Sequence, residues 1–524
     1  MFWADKLLGD VTGKQVINDS WTPSGMVHMG SLKGPVIHDT LYRILKEKGI
    51  DVTFLYGFDD ADPIDGLPSE LQKSHSQYLG MPLFKAPSPD ENGSFGDYFG
   101  NKMKALLDEL EIKPDRLYKT SELYKNGTFN KAISFVLDHV QEIRKVYENM
   151  YKKTIPQTWY PLQVICPNCG KLGTTKVIGW NGEDVTFNCE LNLVKWAQGC
   201  GNTGILNPLD GNSKMPWKVE WAAKWWTFGV TIESAGKDHG SAGGSYDVAM
   251  NIVKDVFKAK PPLKLVYEFF LSGGKKMSSS KGLGLTGEEL LELMPPQVVR
   301  FFMTWTKPSI ATEFDPNNPS SIYKIFDLYF WSGQDAKIDK EEIKNVPIVK
   351  AYNFAQIDNV EKVLPIRFID LVSLMQMPNR KDEIREKRLE EWVPYAEKWL
   401  EKFAPESDKF IVRKQIPEQV KSLSENQKQF LKKISGELDK EWDAEELQTE
   451  LYEWAKEINI SSKDAFAAIY IALIGKDHGP KAAWLILSLD KEFVKKRFEE
   501  VSSSVILNSF QNLNEMPKLV RHDK

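Results

Sequence analysis

The chain has 524 residues, 42% of them hydrophobic and 27% charged, with a formal net charge of −5. That length suits about two to four domains around a sizeable core. A membrane span is excluded, because no apolar run approaches about 18 residues; so is a surface given over to non-specific polyanion binding, although a local basic face for RNA stays open.

The first ten residues, MFWADKLLGD, carry no signal-peptide pattern, and a cytoplasmic chain is expected. Residues 14–18 (KQVIN) read as a first strand. A Pro-Ser-Gly turn follows, and then Leu32, Val36, Leu41, Ile44 and Leu45 recur at helical spacing over 32–48. His28-Met29-Gly30-Ser31 therefore stands at the turn into a helix. Residues 51–57 read as a second strand with acids just behind it. The stretch 76–213 is expected to interrupt the sheet, with a helix over 129–151 in its first half and every cysteine in its second.

Strand–helix alternation resumes over 230–271, with a helix at 245–257 and a strand at 263–267. Such alternation predicts a doubly wound parallel sheet of Rossmann type, with ligands at the carboxyl ends of its strands. After Pro295-Pro296 amphipathic segments take over, at 297–306, 322–331, 382–402, 425–434, 444–458 and 462–474. The expected class is thus α/β with a zinc-binding insertion, followed by an all-α C-terminal half. Linkers are expected near 308–319, 335–346 and 403–418.

Two segments carry chemistry. Pro23-Ser24-Gly25 through Ser31 leads into a helix, whose free N–H groups and partial positive charge suit phosphate. Gly25 and Gly30 let backbone approach a nucleotide, and His28 can donate to an oxygen whose charge grows in a transition state. The bland alternative is an ordinary strand–turn–helix with a capping serine. The second segment, Gly273-Gly274-Lys275-Lys276-Met277-Ser278-Ser279-Ser280-Lys281-Gly282, cannot build a core. Its lysines can clamp a triphosphate and release pyrophosphate as the loop moves; the bland alternative is a solvated basic loop. Cys166-Pro167-Asn168-Cys169-Gly170 has the spacing of a zinc knuckle, and Cys189 and Cys200 complete a four-thiolate set. A disulfide framework is disfavoured in a cytosolic chain. Four unligated thiols are the alternative.

Together the two segments resemble the HIGH and KMSKS signatures of class I aminoacyl-tRNA synthetases. Within that class the chain resembles the lysyl enzymes. Tyr56-Gly57-Phe58-Asp59-Asp60-Ala61-Asp62-Pro63, Met215-Pro216-Trp217, Gly236-Lys237-Asp238-His239 with Gly243-Gly244-Ser245-Tyr246, Tyr267-Glu268-Phe269-Phe270, Gly479-Pro480-Lys481 and Leu489-Asp490-Lys491 extend the likeness nearly end to end. The resemblance implies activation of L-lysine by ATP with Mg²⁺, then transfer to the 3′ end of tRNA(Lys). It implies His28, Gly30, Ser31, Lys276 and Lys281 as catalytic residues. ATP would be bound by Pro23, Ser24, Gly25, His28, Gly243, Gly244, Lys276, Ser278 and Ser279. Lysine would be bound by Ser20, Thr22, Asp59, Trp217, Asp238, His239, Tyr267 and Glu268, the acids for its ammonium groups and the rings for its methylenes. Ser31 and Ser279 depart from the signatures, so another class I synthetase and a non-catalytic RNA-binding relative stand as alternatives. Expected boundaries are 1–75 with 214–294 for the nucleotide-binding domain, 76–213 for the insertion, 295–385 for a connecting domain and 386–524 for anticodon binding.

Overall fold

A computed structural model describes residues 1–276, 284–357, 363–377 and 381–503. Its centre is a five-stranded parallel sheet: β1 (Gln15–Trp21), β2 (Val52–Phe58), β3 (Arg116–Lys119), β4 (Ile232–Gly236) and β5 (Leu263–Tyr267), in the order β5-β4-β1-β2-β3. β1 and β2 pair in register from Gln15↔Val52 to Trp21↔Phe58. β4 and β5 pair from Ile232↔Leu263 to Gly236↔Tyr267. The sequence VTFLYGF of β2 is a continuous apolar run because a parallel strand is covered on both faces. The strand order reverses between β1 and β4, so a crevice opens there at the carboxyl ends.

β3 comes from within 76–213, so that stretch does not merely interrupt the sheet; it supplies an edge strand, pairing Leu55↔Arg116 through Phe58↔Lys119. The helix expected over 129–151 is two, Asn130–Asp138 and Val140–Tyr151. The chain breaks at His139 (φ −106°, ψ 28°), whose ring stacks on Phe135 at 4.0 Å. Farther on, Thr175–Trp180, Val185–Cys189 and Thr203–Leu206 form an antiparallel meander.

Three helices frame the crevice: α1 (Lys33–Glu47), α2 (Trp217–Phe228) and α3 (Ser245–Asp255). A fourth, α4 (Pro296–Trp305), starts with proline at its first turn, where no N–H partner is lost. Its Arg300 is fully buried; it ion-pairs with Asp39 of α1 and donates to the Leu110 carbonyl at 3.0 Å. Met1–Pro316 with Trp331–Val363 form one compact unit; residues 317–330 and the described residues from 364 onward form a second. The second unit is helical among its described residues. In it Phe326 stacks on Phe368 at 4.1 Å, the capped helices Glu425–Glu437 and Ser462–Ile474 pack with Lys491–Ser502, and the capped helix Ala444–Glu457 packs with the first two.

Candidate active site

β1 delivers Ser20 and Trp21 to the crevice, and the chain turns through Thr22-Pro23-Ser24-Gly25, with Ser24 N–H donating to the Thr22 carbonyl at 2.9 Å. His28 precedes one 3₁₀ turn, Met29–Leu32, which runs into α1. A Cβ on Gly30 would lie 2.8 Å from the His28 ring, so only glycine lets the imidazole sit where it does. The first segment is then clasped to the stretch that follows the second. His28 and Thr286 form a β-bridge, Met29 N–H donates to the Leu285 carbonyl at 3.0 Å, and Gly287 N–H donates to the Val27 carbonyl at 2.8 Å.

The near end of the second segment is a hairpin of Phe270–Ser272 with Lys275–Lys276. Its two turn residues, Gly273 (φ +58°) and Gly274 (φ +71°), take the left-handed conformations that a tight hairpin turn demands. Ser278, Ser279 and Lys281 lie outside the described residues, as does the Lys276 side chain.

A cavity of about 200 Å³ opens at the reversal point of the sheet. The turn into α1 gives it His28, Gly30 and Lys33; the end of β4 and the residues after it give Gly236, Asp238 and His239; the end of β5 and the residues after it give Tyr267, Glu268, Phe269 and Phe270. Six residues singled out from the sequence thus share one cavity. Trp217 stands beside it, its ring edge-on to His239 at 4.9 Å. Gly243 (φ +74°) and Gly244 lead into α3; a Cβ on Gly244 would strike the His239 carbonyl at 2.6 Å. Gly243 N–H donates to Asp247 at 2.8 Å.

Residues 1–356 match the family described as tRNA synthetases class I (K), and residues 373–502 match the anticodon binding domain. The chain belongs to the class I tRNA synthetases. It is 32% identical to the lysine--tRNA ligase of Thermoplasma volcanium, over 96% of this chain and 99% of that protein. Identity to the lysine--tRNA ligase of Methanosarcina barkeri is also 32%, over 96% and 98%. Likeness to the solved glutamate tRNA ligase of Elizabethkingia meningosepticum is looser, with a TM-score of 0.47 at 11% identity over 94% of this chain and 99% of that one.

Behind the synthetase cavity lies a buried charge cluster that the sequence does not announce. Lys224 and Glu220 on α2 and Lys214 just before it are each 3% exposed or less. Lys224 pairs with Asp59, and with Glu220 at 3.5 Å. Lys214 holds Asp62 and Glu220, each at 2.8 Å. The acids in turn accept from the site's hydroxyls, Ser20 to Asp59 and Thr22 to Asp62, both at 3.0 Å. Burial pushes the Asp59 carboxyl up to about 6 despite Lys224. The acids at the end of β2, expected to face substrate, are thus engaged by the chain's own lysines.

Lys33 was also missed. Its ammonium donates to the Glu268 carbonyl at 2.9 Å and lies over the Phe270 ring at 4.7 Å; burial lowers it to about 8, against Glu268. The Glu268 carboxylate itself pairs with Lys237 at 2.6 Å.

The four cysteines converge. Their sulfurs all lie within 4.8 Å of one another, with Cys166–Cys200 at 3.6 Å and Cys169–Cys189 at 3.7 Å. Four thiolates about 2.3 Å from one zinc sit about 3.8 Å apart, so the set fits that ion. Gly170 (φ +71°) and Gly201 (φ +77°) supply the bends that turn both pairs inward.

Proposed function

We propose that the chain activates L-lysine with ATP and transfers it to tRNA(Lys). The observation that carries this reading is the convergence of the first signature, the Gly236–His239 segment and the Tyr267-Glu268 pair on one cavity, in a chain alike end to end to lysine--tRNA ligases. The lysine carboxylate attacks the α-phosphorus of ATP, the bond to the β-phosphate oxygen breaks, and pyrophosphate leaves. A ribose hydroxyl at the tRNA 3′ end then displaces AMP from the lysyl-adenylate.

His28 donates to the non-bridging oxygens that gain charge at the α-phosphate, with Gly30 and Ser31 setting the turn beneath it. The turn at Pro23, Ser24 and Gly25 and the loop at Gly243 and Gly244 seat the nucleotide. Lys276, Ser278, Ser279 and Lys281 meet the β- and γ-phosphates, whose Mg²⁺ arrives as part of the ATP substrate. Ser20 and Thr22 donate their protons to Asp59 and Asp62, which leaves their oxygen lone pairs for the substrate α-ammonium. Trp217 and His239 wall the methylenes; Asp238 and Glu268 stand at the mouth, Glu268 paired with Lys237. Within this reading residues 1–75 and 214–294 bind nucleotide, 76–213 is the insertion, 295–385 connects, and 386–524 reads the anticodon. Among the described residues no helix is long and apolar enough to cross a membrane.

Purified protein is expected to catalyse lysine-dependent exchange between ATP and pyrophosphate, with tRNA supplied if needed. Exchange that responds to arginine or glutamate and not to lysine rejects the reading.

Cys166, Cys169, Cys189 and Cys200 would hold one structural zinc, all four positions being filled by protein. Elemental analysis of protein prepared without chelator should find about one zinc per chain, and Cys189→Ser should lower that content. Chelation should loosen the meander before the sheet, because the ligands lie in and beside it. Zinc-free protein from such a preparation rules the site out.

A further inference from the structure

Tyr267 of β5 lines the cavity, and just behind it its hydroxyl meets the start of α1. Gly34 sits there. A Cβ on it would stand 2.9 Å from the Tyr267 hydroxyl and 3.2 Å from Asp19 Oδ2. A carboxylate oxygen, a phenol and the gap left by a missing side chain therefore share one small volume.

Asp19 is 7% exposed, yet among the described residues its buried Oδ2 accepts no hydrogen bond. Oδ1 takes the Ser20 N–H at 2.9 Å. His38 is close: burial works against its protonation, and Asp19, with Oδ2 3.2 Å from Nδ1, raises its pKa nonetheless. Its Nε2 accepts the Ser234 backbone N–H at 2.8 Å, which fixes the single ring proton on Nδ1. That proton has the Gly34 carbonyl at 2.9 Å, with Oδ2 farther off at 3.2 Å. Tyr56, beside Asp19 in the β1–β2 register, has a buried hydroxyl that likewise forms no hydrogen bond among the described residues. A buried carboxylate is costly without a cation and donors to meet it.

The rival acids are engaged. Asp59 and Asp62 hold Lys224 and Lys214, and Glu268 holds Lys237. Glu233 accepts from Asn18, Trp221 and Trp225 at 2.6–2.8 Å.

Resting on the lysine reading above, we propose that Asp19 receives the substrate's ε-ammonium, with the Tyr267 hydroxyl beside it and Gly34 clearing the space, and so sets the preference for a long cationic side chain. An ammonium brings three N–H donors, and Asp19 Oδ2 and the neighbouring phenol oxygens are acceptors placed for them.

The probe pair is L-lysine and L-norleucine, which differ at the terminal amine. Wild-type exchange with lysine is measured first; its absence rejects the lysine reading itself. Asp19→Asn keeps shape and removes charge. It should weaken lysine, in KM and in calorimetric affinity, by about 10²-fold, while norleucine inhibition and KM for ATP stay within about twofold. Gly34→Ala should weaken lysine by about tenfold without changing any charge, since its methyl fills the gap. Should Asp19→Asn fail to fold, Gly34→Ala with the same pair decides. Unchanged lysine affinity, or equal weakening of lysine and norleucine, overturns the assignment.

Discussion

His28→Ala should slow adenylate formation by about 10²–10³ while moving the affinity for ATP only modestly. A donor that meets charge only as the α-phosphate is attacked contributes to the transition state and little to the ground state. The ring's position is fixed twice, by the bare Cα of Gly30 beneath it and by the bridge from His28 to Thr286, so the substitution removes a group without freeing a loop. Single-turnover measurement of adenylate separates the chemical step from tRNA transfer. An unchanged rate takes His28 out of the site.

Lys224→Met should be the most destabilising of the substitutions considered. Lys224 is 2% exposed and reaches Asp59 and Glu220. Without it three buried or half-buried acids, Asp59, Asp62 and Glu220, face one lysine, Lys214. Breaking a buried ion pair from one side costs about 3–5 kcal/mol, most of it the stranded opposite charge. The melting temperature of the first compact unit should fall by several degrees. Lys224→Met combined with Asp59→Asn should recover part of the loss, because the excess of acids over lysines in the cluster returns to that of the wild type. Equal melting of wild type and Lys224→Met would mean that the cluster adds nothing to the fold.

Much of the sheet is legible in sequence from the apolar run of β2 and the strand–helix alternation around it. β5 falls on the residues expected, 263–267, and β1 and β2 fall within a few residues of theirs. β3 is not legible: Arg-Leu-Tyr-Lys is short, and half of it is exposed edge. Lys214 and Lys224 read as solvated residues, since only the fold brings acids to them. Asp19 was passed over for the acids behind β2, which look freer in sequence than they are in space. In the helical half the strongly striped segments stand out, whereas Pro347–Ala355, Phe368–Met375 and Ala482–Ser488 are short, largely apolar helices without a clean polar face. The expected helix over 382–402 is interrupted: Lys381–Glu386 ends, Arg388 takes a φ of +54°, and Val393–Lys402 restarts with a proline in its first turn.

The sheet order has a consequence for the chain as it is made. β1 is central, but its neighbour on one side is β4, and Val16 meets Thr231 across 215 positions of sequence. At a synthesis rate of about 5–20 residues per second, β1 waits about 10–40 s after its own emergence for that neighbour. Throughout that interval the β1–β2 pair presents the open edge of β1, of the kind that other chains can pair with. Folding of the first unit is therefore timed by translation of its last strands, and a slowly translating ribosome lengthens the period in which a nascent chain depends on chaperone cover.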